Sequence, residues 1–452
     1  MKIAIAGCGK VGATLIEQLR KENHDVTIID TDESRMAYVN DSQDVMAVVG
    51  DARSVSVLKS AGVESCDLML AMTDNDEVNL MVCLVANKIG VKNTIARVRN
   101  PIYRDTMSVI NEDLGLSMVV NPDLEAAHEM FNSLCFKSAD QVEHFAKSRN
   151  QIYTCGIENG MPICNAKILE IANIIHGRVF ICAIKRDGEI FIPNGETKIQ
   201  AGDTLSFVAS TQDAEKFFKK IGKETGRVRD LTIIGGGRLG YYLGRLAVEN
   251  GMPLKIVDMD RDICRQLTVA LPSAEVICGD ATGTDLLEEE GILNASAVAT
   301  LTGEDSVNLL LSMYLKKHAP QAKLITKVKK SDFEDLLYNI NIGSVYNPKY
   351  ITADHVLRYV RAMQNVLENE VQSLCHVIDN KVEVLEFSIG KDMPFLGVPI
   401  KDLKLKKDLL ITDITRAGQS FIPGGNDTIE AGDSILVVTT QTGLYRIRDI
   451  FQ

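Results

Sequence analysis

Two periods alternate along the first 120 residues of the chain. Short apolar runs at residues 3–6, 46–49, 68–71, 94–98 and 118–120 read as strands, and polar and turn residues separate them from stretches with helical spacing. The clearest helix, over 11–19, places Val11, Leu15, Ile16 and Leu19 on one face. Strand and helix in alternation predict a doubly wound parallel sheet, which takes its ligands at the carboxyl ends of the strands. The pattern then changes. Short strands punctuated by turns follow Asn150, with a hairpin signal at Lys185-Arg-Asp-Gly188 and a turn at Ala201-Gly-Asp203 feeding a strand over 204–208.

All of this is written twice. KIAIAGCGKVG, with Gly7, Gly9 and Gly12, leads to TIID and Asp30; about 230 residues on, LTIIGGGRLG, with Gly235, Gly237 and Gly240, leads to KIVD and Asp258. Gly50-Asp51 matches Gly279-Asp280. Thr73 to Asn79 (TDNDEVN) matches Thr302 to Asn308 (TGEDSVN), Arg97-Val-Arg99 matches Lys327-Val-Lys329, and Asn121-Pro122 matches Asn347-Pro348. The turn-rich parts repeat too: FIPNGETKIQAGDTL from Phe191 and FIPGGNDTIEAGDSI from Phe421, with hairpin signals before both and Met161-Pro-Ile163 echoed by Val398-Pro-Ile400. The expected units are a nucleotide-binding domain at 1–122, a helical crossover at 123–147, a small β-rich α+β module at 148–222 and a polar linker at 223–230. A second nucleotide-binding domain at 231–348, a crossover at 349–372 and a module at 373–452 complete the chain.

The glycine spacing carries chemistry. Gly7 permits a tight turn, Gly9 lets backbone approach a pyrophosphate, and Gly12 lets helix and strand pack closely. The helix start then presents unpaired N–H groups and a positive dipole end to phosphate. Asp30 follows at the end of the next strand, where a carboxylate accepts hydrogen bonds from ribose hydroxyls and repels a 2′-phosphate. A free-ribose cofactor such as NAD is therefore favoured over NADP, less firmly in the second copy, where Arg261 follows Asp258 closely. Thr73, just past the fourth strand, and Arg97, at the end of the fifth, are expected in the crevice with Gly9 and Asp30. Asp74, Asp76 and Glu77 have the composition of a metal cluster, but at a helix start capping and dipole compensation is the expected role, and no metal site is assigned.

Composition changes the picture little. Hydrophobic residues at 45% and charged residues at 24% describe an ordinary globular protein of 452 residues. A formal net charge of −12 argues against nucleic-acid binding. No apolar run approaches the roughly 18 residues of a membrane span, and the chain enters a strand by residue 3, so no leader is expected. The ten cysteines, none in a CxxC, read as buried free thiols in a reducing cytoplasm. Lys401, Lys404, Lys406 and Lys407 read as a solvated face. His128 and His355 lie one residue out of register on the two crossovers and so face differently, which argues against a repeated catalytic base.

GCGKVG with Asp30, Gly50-Asp51, TDNDEVN, Arg97-Val-Arg99 and the FIP…AGD module resemble the RCK (KTN) domains that regulate potassium transport. Two such pairs in one chain resemble the TrkA-type peripheral subunits of Trk potassium uptake systems. The resemblance implies nucleotide contacts at Gly7, Cys8, Gly9, Lys10, Val11, Asp30, Asp51, Thr73, Asp74 and Arg97, and in the second copy at Gly235, Gly236, Gly237, Arg238, Leu239, Asp258, Asp280, Thr302 and Lys327. Lys327 stands where the first copy has arginine, giving up bidentate reach to phosphate. The implied ligand is NAD(H), with ATP or ADP as the other candidates. The implied partner is a membrane-embedded potassium-translocating subunit, gated from the cytoplasmic face by a ring of eight units. A two-unit chain would then form a homotetramer, with no catalytic residues. The rival expectations are an NAD-dependent oxidoreductase and a nucleotide sensor acting on a soluble partner.

Overall fold

The computed structural model describes residues 1–42, 45–103, 106, 110, 113–134, 136–143, 145, 148–175, 178–223, 228–329, 342–364, 371–378, 381–391, 393–441, 443–444 and 446–452. Four sheets organise them. In the first, six parallel strands lie side by side as Met46–Val49, Asp25–Asp30, Lys2–Ala6, Leu68–Ala71, Asn93–Arg97 and Met118–Val120. The third sheet repeats this as Glu275–Cys278, Leu254–Asp258, Leu231–Ile234, Ala297–Thr300, Lys323–Lys327 and Ser344–Tyr346. In both, sequence order 3-2-1-4-5-6 reverses at the first strand, so a crevice opens between the carboxyl ends of the first and fourth strands. The second and fourth sheets are five-stranded and antiparallel. The fold is two Rossmann-like doubly wound lobes, each followed by a small β-rich module.

The Asn-Pro repeat explains how each lobe ends. Asn121 Oδ1 accepts the N–H groups of Asp123 and Leu124 (both 3.1 Å), and Pro122 opens the helix Pro122–Leu134 at the position where its missing N–H costs nothing. Asn347 and Pro348 open the helix Pro348–Gln364 in the same way, with Asn347 Oδ1 accepting from Lys349. These crossover helices do not pack on the lobes that precede them. Ala126, Ala127, Met130 and Leu134 of the first are buried in the core of the second lobe, among Leu239, Leu243 and Leu246. Ala353, Val356, Leu357 and Val360 of the second are buried in the first lobe, among Leu15, Ile16 and Leu19.

Buried cations fix the exchange. Lys323 of the second lobe donates its ammonium to the carbonyls of Ser133, Phe136 and Ala139, capping the end of the first crossover helix. Arg361 of the second crossover pairs with Glu22 of the first lobe, both nearly excluded from water. Burial opposes the Glu22 carboxylate, but His24 and Arg361 hold its pKa below the usual value.

The small modules also close on each other. Ile152, Cys182, Ala183 and Val208 of one sheet meet Val377, Val382, Val384, Leu436 and Val438 of the other. Asp413 accepts hydrogen bonds across this join from Ser148 Oγ and Asn150 Nδ2, both at 2.7 Å. Each hairpin turns on two left-handed residues, Asp187-Gly188 and Ala417-Gly418. The aspartate of each Ala-Gly-Asp turn is buried and grips the hairpin arginine with both oxygens: Asp203 with Arg186 (2.7 and 2.7 Å), Asp433 with Arg416 (2.9 and 2.8 Å).

One expected boundary is corrected. The first crossover was expected to remain helical to about residue 147, but the helix ends at Leu134, and Gln141–Glu143 instead forms an edge strand paired with Gln151–Gly156. The Lys323 ammonium gathers the carbonyl of Ser133 at the helix end and those of Phe136 and Ala139 just beyond it. Residues 146–147 and 365–370 of the expected crossovers, 224–227 of the expected linker, and Cys135, His144 and His176 lie outside the described residues.

A cavity of about 170 Å³ lies where the crossovers meet the modules, lined among others by Glu129, Glu143, Asp354, Arg358 and His376. Burial pushes the Glu143 carboxyl up to about 7 and Glu129 well above the carboxylate range, with Arg358 opposing. The folded state therefore holds protons that the unfolded chain has released, so stability present at pH 5 is lost as pH rises through 7. Thermal unfolding should show a lower midpoint at pH 8 than at pH 5.5, and Glu143→Gln should flatten that slope; an unchanged slope contradicts the assignment. Lys323→Met should lower the urea midpoint by an amount equivalent to about 3 kcal/mol, because three buried carbonyls lose their donor. Circular dichroism is the probe, since the chain has no tryptophan.

Candidate functional site

In the first lobe, Gly7 adopts φ +100°, and a Cβ there would lie 2.8 Å from the Thr73 nitrogen. A Cβ on Gly12 would lie 2.0 Å from the Gly7 carbonyl oxygen. Both glycines are thus demanded by packing. Gly9 differs: a Cβ on it would meet nothing within 4 Å. It faces open space at the start of the helix Lys10–Lys21, beside exposed Lys10 and buried Val11. The second lobe repeats the geometry: Gly235 at φ +108° against Leu301 and Thr302, Gly240 with its Cβ position 2.2 Å from the Gly235 oxygen, and Gly237 open. Gly236, equivalent to Cys8, is packed against Leu267 and Ile263, and Leu239 is buried like Val11.

The acidic residue after each second strand anchors the glycine loop. Asp30 accepts the Cys8 N–H (2.5 Å) and the Asp32 N–H (2.9 Å); Asp258 accepts those of Gly236 (2.6 Å) and Asp260 (2.9 Å). Each carboxylate therefore stands at the rim of the turn with lone pairs to spare. The Asp51 carboxylate is turned toward Arg53, which holds its pKa below the usual value; Asp280 accepts from Thr282 instead.

Thr73 and Arg97 are held by a residue that sequence reasoning passed over. Asn79, fully buried, accepts from the Thr73 N–H (2.9 Å) and hydroxyl (2.7 Å), and its amide donates to the Thr73 and Arg97 carbonyls (3.1 and 2.8 Å). Asn308 does the same for Thr302 and Lys327. The signal was present, since both asparagines end the repeated TDNDEVN/TGEDSVN motif. The capping expectation is also revised. Asn75 caps the helix Asp76–Lys88, Asp74 is exposed, and Asp76 reaches away to accept the Arg99 and Asn100 N–H groups.

Arg97 donates to the Thr73 carbonyl, while its Nε is buried with no hydrogen-bond partner. Burial, then the neighbouring Arg99, lowers its pKa to about 10. Lys327 donates to the Leu301 carbonyl at 2.7 Å; burial, then Lys329, lowers it to about 8. The carboxyl end of each parallel sheet thus carries an open helix start, a rim carboxylate and a poorly solvated cation. An anion with a hydroxylated sugar would satisfy all three. The two clefts are joined: Asp123 is 3.3 Å from Arg238 of the second glycine loop and lies within electrostatic reach of both Arg97 and Lys327. Tyr242, one helical turn beyond Arg238, donates to the Arg99 carbonyl and accepts from Asn121.

Profile comparison matches a TrkA-N domain at residues 3–122 and 231–348 and a TrkA-C domain at 157–222 and 384–452. The Trk system potassium uptake protein TrkA homolog of Archaeoglobus fulgidus is 33% identical over 452 residues, covering all of both chains. The Trk system potassium uptake protein TrkA of Halomonas elongata is 28% identical, covering 100% of this chain and 98% of that one. Among solved structures, the GsuK RCK domain superposes with a TM-score of 0.61 at 18% identity, over 97% of this chain and 92% of that one. The GsuK channel bound to NAD gives 0.59 at 18% identity, over 97% and 77%. These two show the fold.

The glycine geometry gives a paired expectation. Gly12→Ala drives a methyl group into the Gly7 carbonyl and should cost more than about 2 kcal/mol, whereas Gly9→Ala should leave stability within about 1 kcal/mol of the parent. Thermal unfolding of both variants checks this; equal losses would mean that Gly9 is also a packing residue.

Proposed function

Because the chain belongs to the TrkA family, with two TrkA-N and two TrkA-C domains in tandem, we propose that it is a peripheral regulatory subunit of a Trk-type potassium uptake system. On this reading it binds NAD(H), or ATP and ADP, in its two clefts and gates a membrane-embedded potassium-translocating subunit from the cytoplasmic face. What supports the ligand reading is that open Gly9, the Asp30 carboxylate on the Cys8 N–H and the buried, unpartnered Arg97 Nε all belong to the carboxyl ends of one sheet, an arrangement repeated with Gly237, Asp258 and Lys327. The glycine loops would take the pyrophosphate, Asp30 and Asp258 the ribose hydroxyls, and Arg97 and Lys327 the phosphate charge. The potassium reading rests on the names of full-length relatives.

The mechanism follows from how the lobes are joined. A phosphate arriving beside Arg97 competes with Asp123 for local positive charge, and Asp123 begins the crossover helix buried in the other lobe. Ligand in one cleft would thus bias the position of the opposite lobe. Nucleotides with different affinity for two lobe arrangements would select between them. We assign regulation rather than turnover: Asp30 and Asp258 are engaged by backbone N–H groups, which suits them to hold a ribose rather than move a proton. His355 faces Glu125 of the opposite crossover at 3.3 Å, a helix-interface contact.

Assembly as a homotetramer has a surface to use. The helices Asp76–Lys88 and Asp305–His318 are equivalent in the two lobes, and each exposes apolar side chains: Met81 on one, Leu310 and Met313 on the other. No helix among the described residues is long and apolar enough to cross a membrane, so the membrane component is assigned to a partner.

Titration calorimetry on the full chain tests the ligand reading, because separated halves would each lose the crossover helix that completes them. Asp30→Ala should weaken NADH binding at one of two sites by an amount equivalent to roughly 1.5–3 kcal/mol, and Asp30→Asn by less. Unchanged affinity in the folded Asp30→Ala variant refutes the ribose assignment. Reconstituted vesicles holding the membrane subunit test the transport reading: nucleotide plus this chain should alter potassium flux. If flux does not change, the action is on a soluble partner.

A further inference from the structure

The second cleft has a chemical feature that the first lacks. Cys278 ends the strand Glu275–Cys278 directly opposite Asp258 in the parallel ladder, and Gly279-Asp280 follow it. Cys264 lies in the helix Arg261–Ala270, with its Sγ 3.4 Å from the Asp258 carbonyl oxygen and 3.8 Å from that of Ile277. The Cys264 sulfur thus lies against the residue that immediately precedes Cys278, and Cys278 is close enough to raise the Cys264 thiol. Both are free; Cys264 is buried and Cys278 exposed. In the first lobe, Val49 stands opposite Asp30 in the same register and Met36 occupies the corresponding helix position. The pair is therefore present in one lobe only, against the backbone that carries the rim carboxylate.

We propose that Cys264 and Cys278 form a peroxide-responsive dithiol whose closure to a disulfide changes nucleotide affinity in the second cleft alone. The nucleotide half of this inference rests on the function proposed above; the disulfide half does not. Exposed Cys278 reacts first: its sulfur attacks one oxygen of the peroxide, the O–O bond breaks, and the products are a sulfenic acid and water or an alcohol. The Cys264 sulfur then attacks the Cys278 sulfur, the S–O bond breaks, the Cys264 proton leaves with the hydroxide as water, and the disulfide remains. Two thiols are oxidised by two electrons and one peroxide is reduced. Burial, then the contact with Cys278, lifts the Cys264 thiol to about 11, so it stays protonated until its neighbour is activated. Closing the bond removes the Cys264 S–H donor from the Asp258 carbonyl and ties the helix start to the strand end on either side of that residue. Asp258 holds the glycine loop through Gly236, so the strain falls on the cradle.

The test uses the full chain carrying Gly9→Val, which puts a branched side chain into the open space where the first glycine loop would meet a pyrophosphate. Treatment with hydrogen peroxide should remove two free thiols and yield a cross-linked peptide pair containing Cys264 and Cys278, lighter by two hydrogens. Cys83, Cys155 and Cys182, buried with thiols pushed up to about 12, should stay reduced. NADH and ATP titrations should then show a change of at least about fivefold in second-cleft affinity, reversed by dithiothreitol and absent in Cys278→Ser. Stable over-oxidation of Cys278 without the cross-link, or a cross-link to a second chain, overturns the dithiol. A cross-link that leaves affinity unchanged overturns its regulatory role. If the reduced chain binds neither nucleotide in the second cleft, the ligand reading of that cleft fails, and the cross-link result stands or falls by mass alone.

Discussion

The structure depends on one exchange: each crossover helix buries its apolar face in the opposite lobe. Neither lobe can present a complete core without it, because the helix that opens each glycine cradle packs on a partner supplied from elsewhere in the chain. Burial of Met130 and Leu134 on one side and Leu357 and Val360 on the other contributes on the order of 1.5–3 kcal/mol per large side chain. The buried Lys323 and Arg361 then specify which surfaces meet, since either cation left unpaired would cost more than the pair gains. Packing of the two small sheets through Val377, Val382 and Val438 closes the same pairing a second time.

The exchange turns a duplicated chain into an internal dimer, and it puts the clefts in contact. A helix that starts at Asp123, within electrostatic reach of Arg97, and is buried in the other lobe's core is a rigid lever between them. Coupling of this kind needs two packed arrangements of similar energy rather than soft linkage. The join between lobe and module is where such an alternative has room. The cavity lined by Glu129 and Glu143 touches both crossovers, and burial raises these two carboxyls, Glu143 to about 7 and Glu129 well above the carboxylate range. A shift that opened it to water would release those protons.

Legibility in the sequence followed the range of the interaction. The glycine triplets, the hairpins and the Asn-Pro helix starts were readable because their constraints lie within a few residues of one another: the Gly12 Cβ position against the Gly7 carbonyl, or Asn121 over the next two N–H groups. Repetition about 230 residues apart made the order of units readable as well. What could not be read was where the crossovers go, because an amphipathic helix advertises that it needs a partner and not which one. The edge strand Gln141–Glu143 was missed for the same reason: the helix before it ends where Lys323, nearly 190 residues away in sequence, collects its carbonyls. Asn79 and Asn308 fell between the cases. They stood in a matched motif, but an uncharged side chain that accepts from Thr73 and donates past it to Arg97 has no signature beyond its recurrence.

Duplication also left a record of divergence. Residues that build the fold were kept in both lobes: the turn and packing glycines, the buried asparagine, the rim aspartate, the arginine–aspartate grip of each hairpin. Other positions beside the glycine loop differ between the lobes. Arg97 became Lys327, exchanging a guanidinium held at about 10 for an ammonium lowered to about 8, a charge that weakens within the neutral to mildly alkaline range. Cys8 corresponds to Gly236, whose Cβ position is crowded by the Leu267 and Ile263 side chains, and Met36 and Val49 correspond to Cys264 and Cys278. A second lobe kept only as scaffold would have no reason to hold an open Gly237, an anchored Asp258 and a buried cation in the same geometry while altering the chemistry around them. The pattern is that of two glycine loops built on one frame with different chemistry beside them, joined through the exchanged helices.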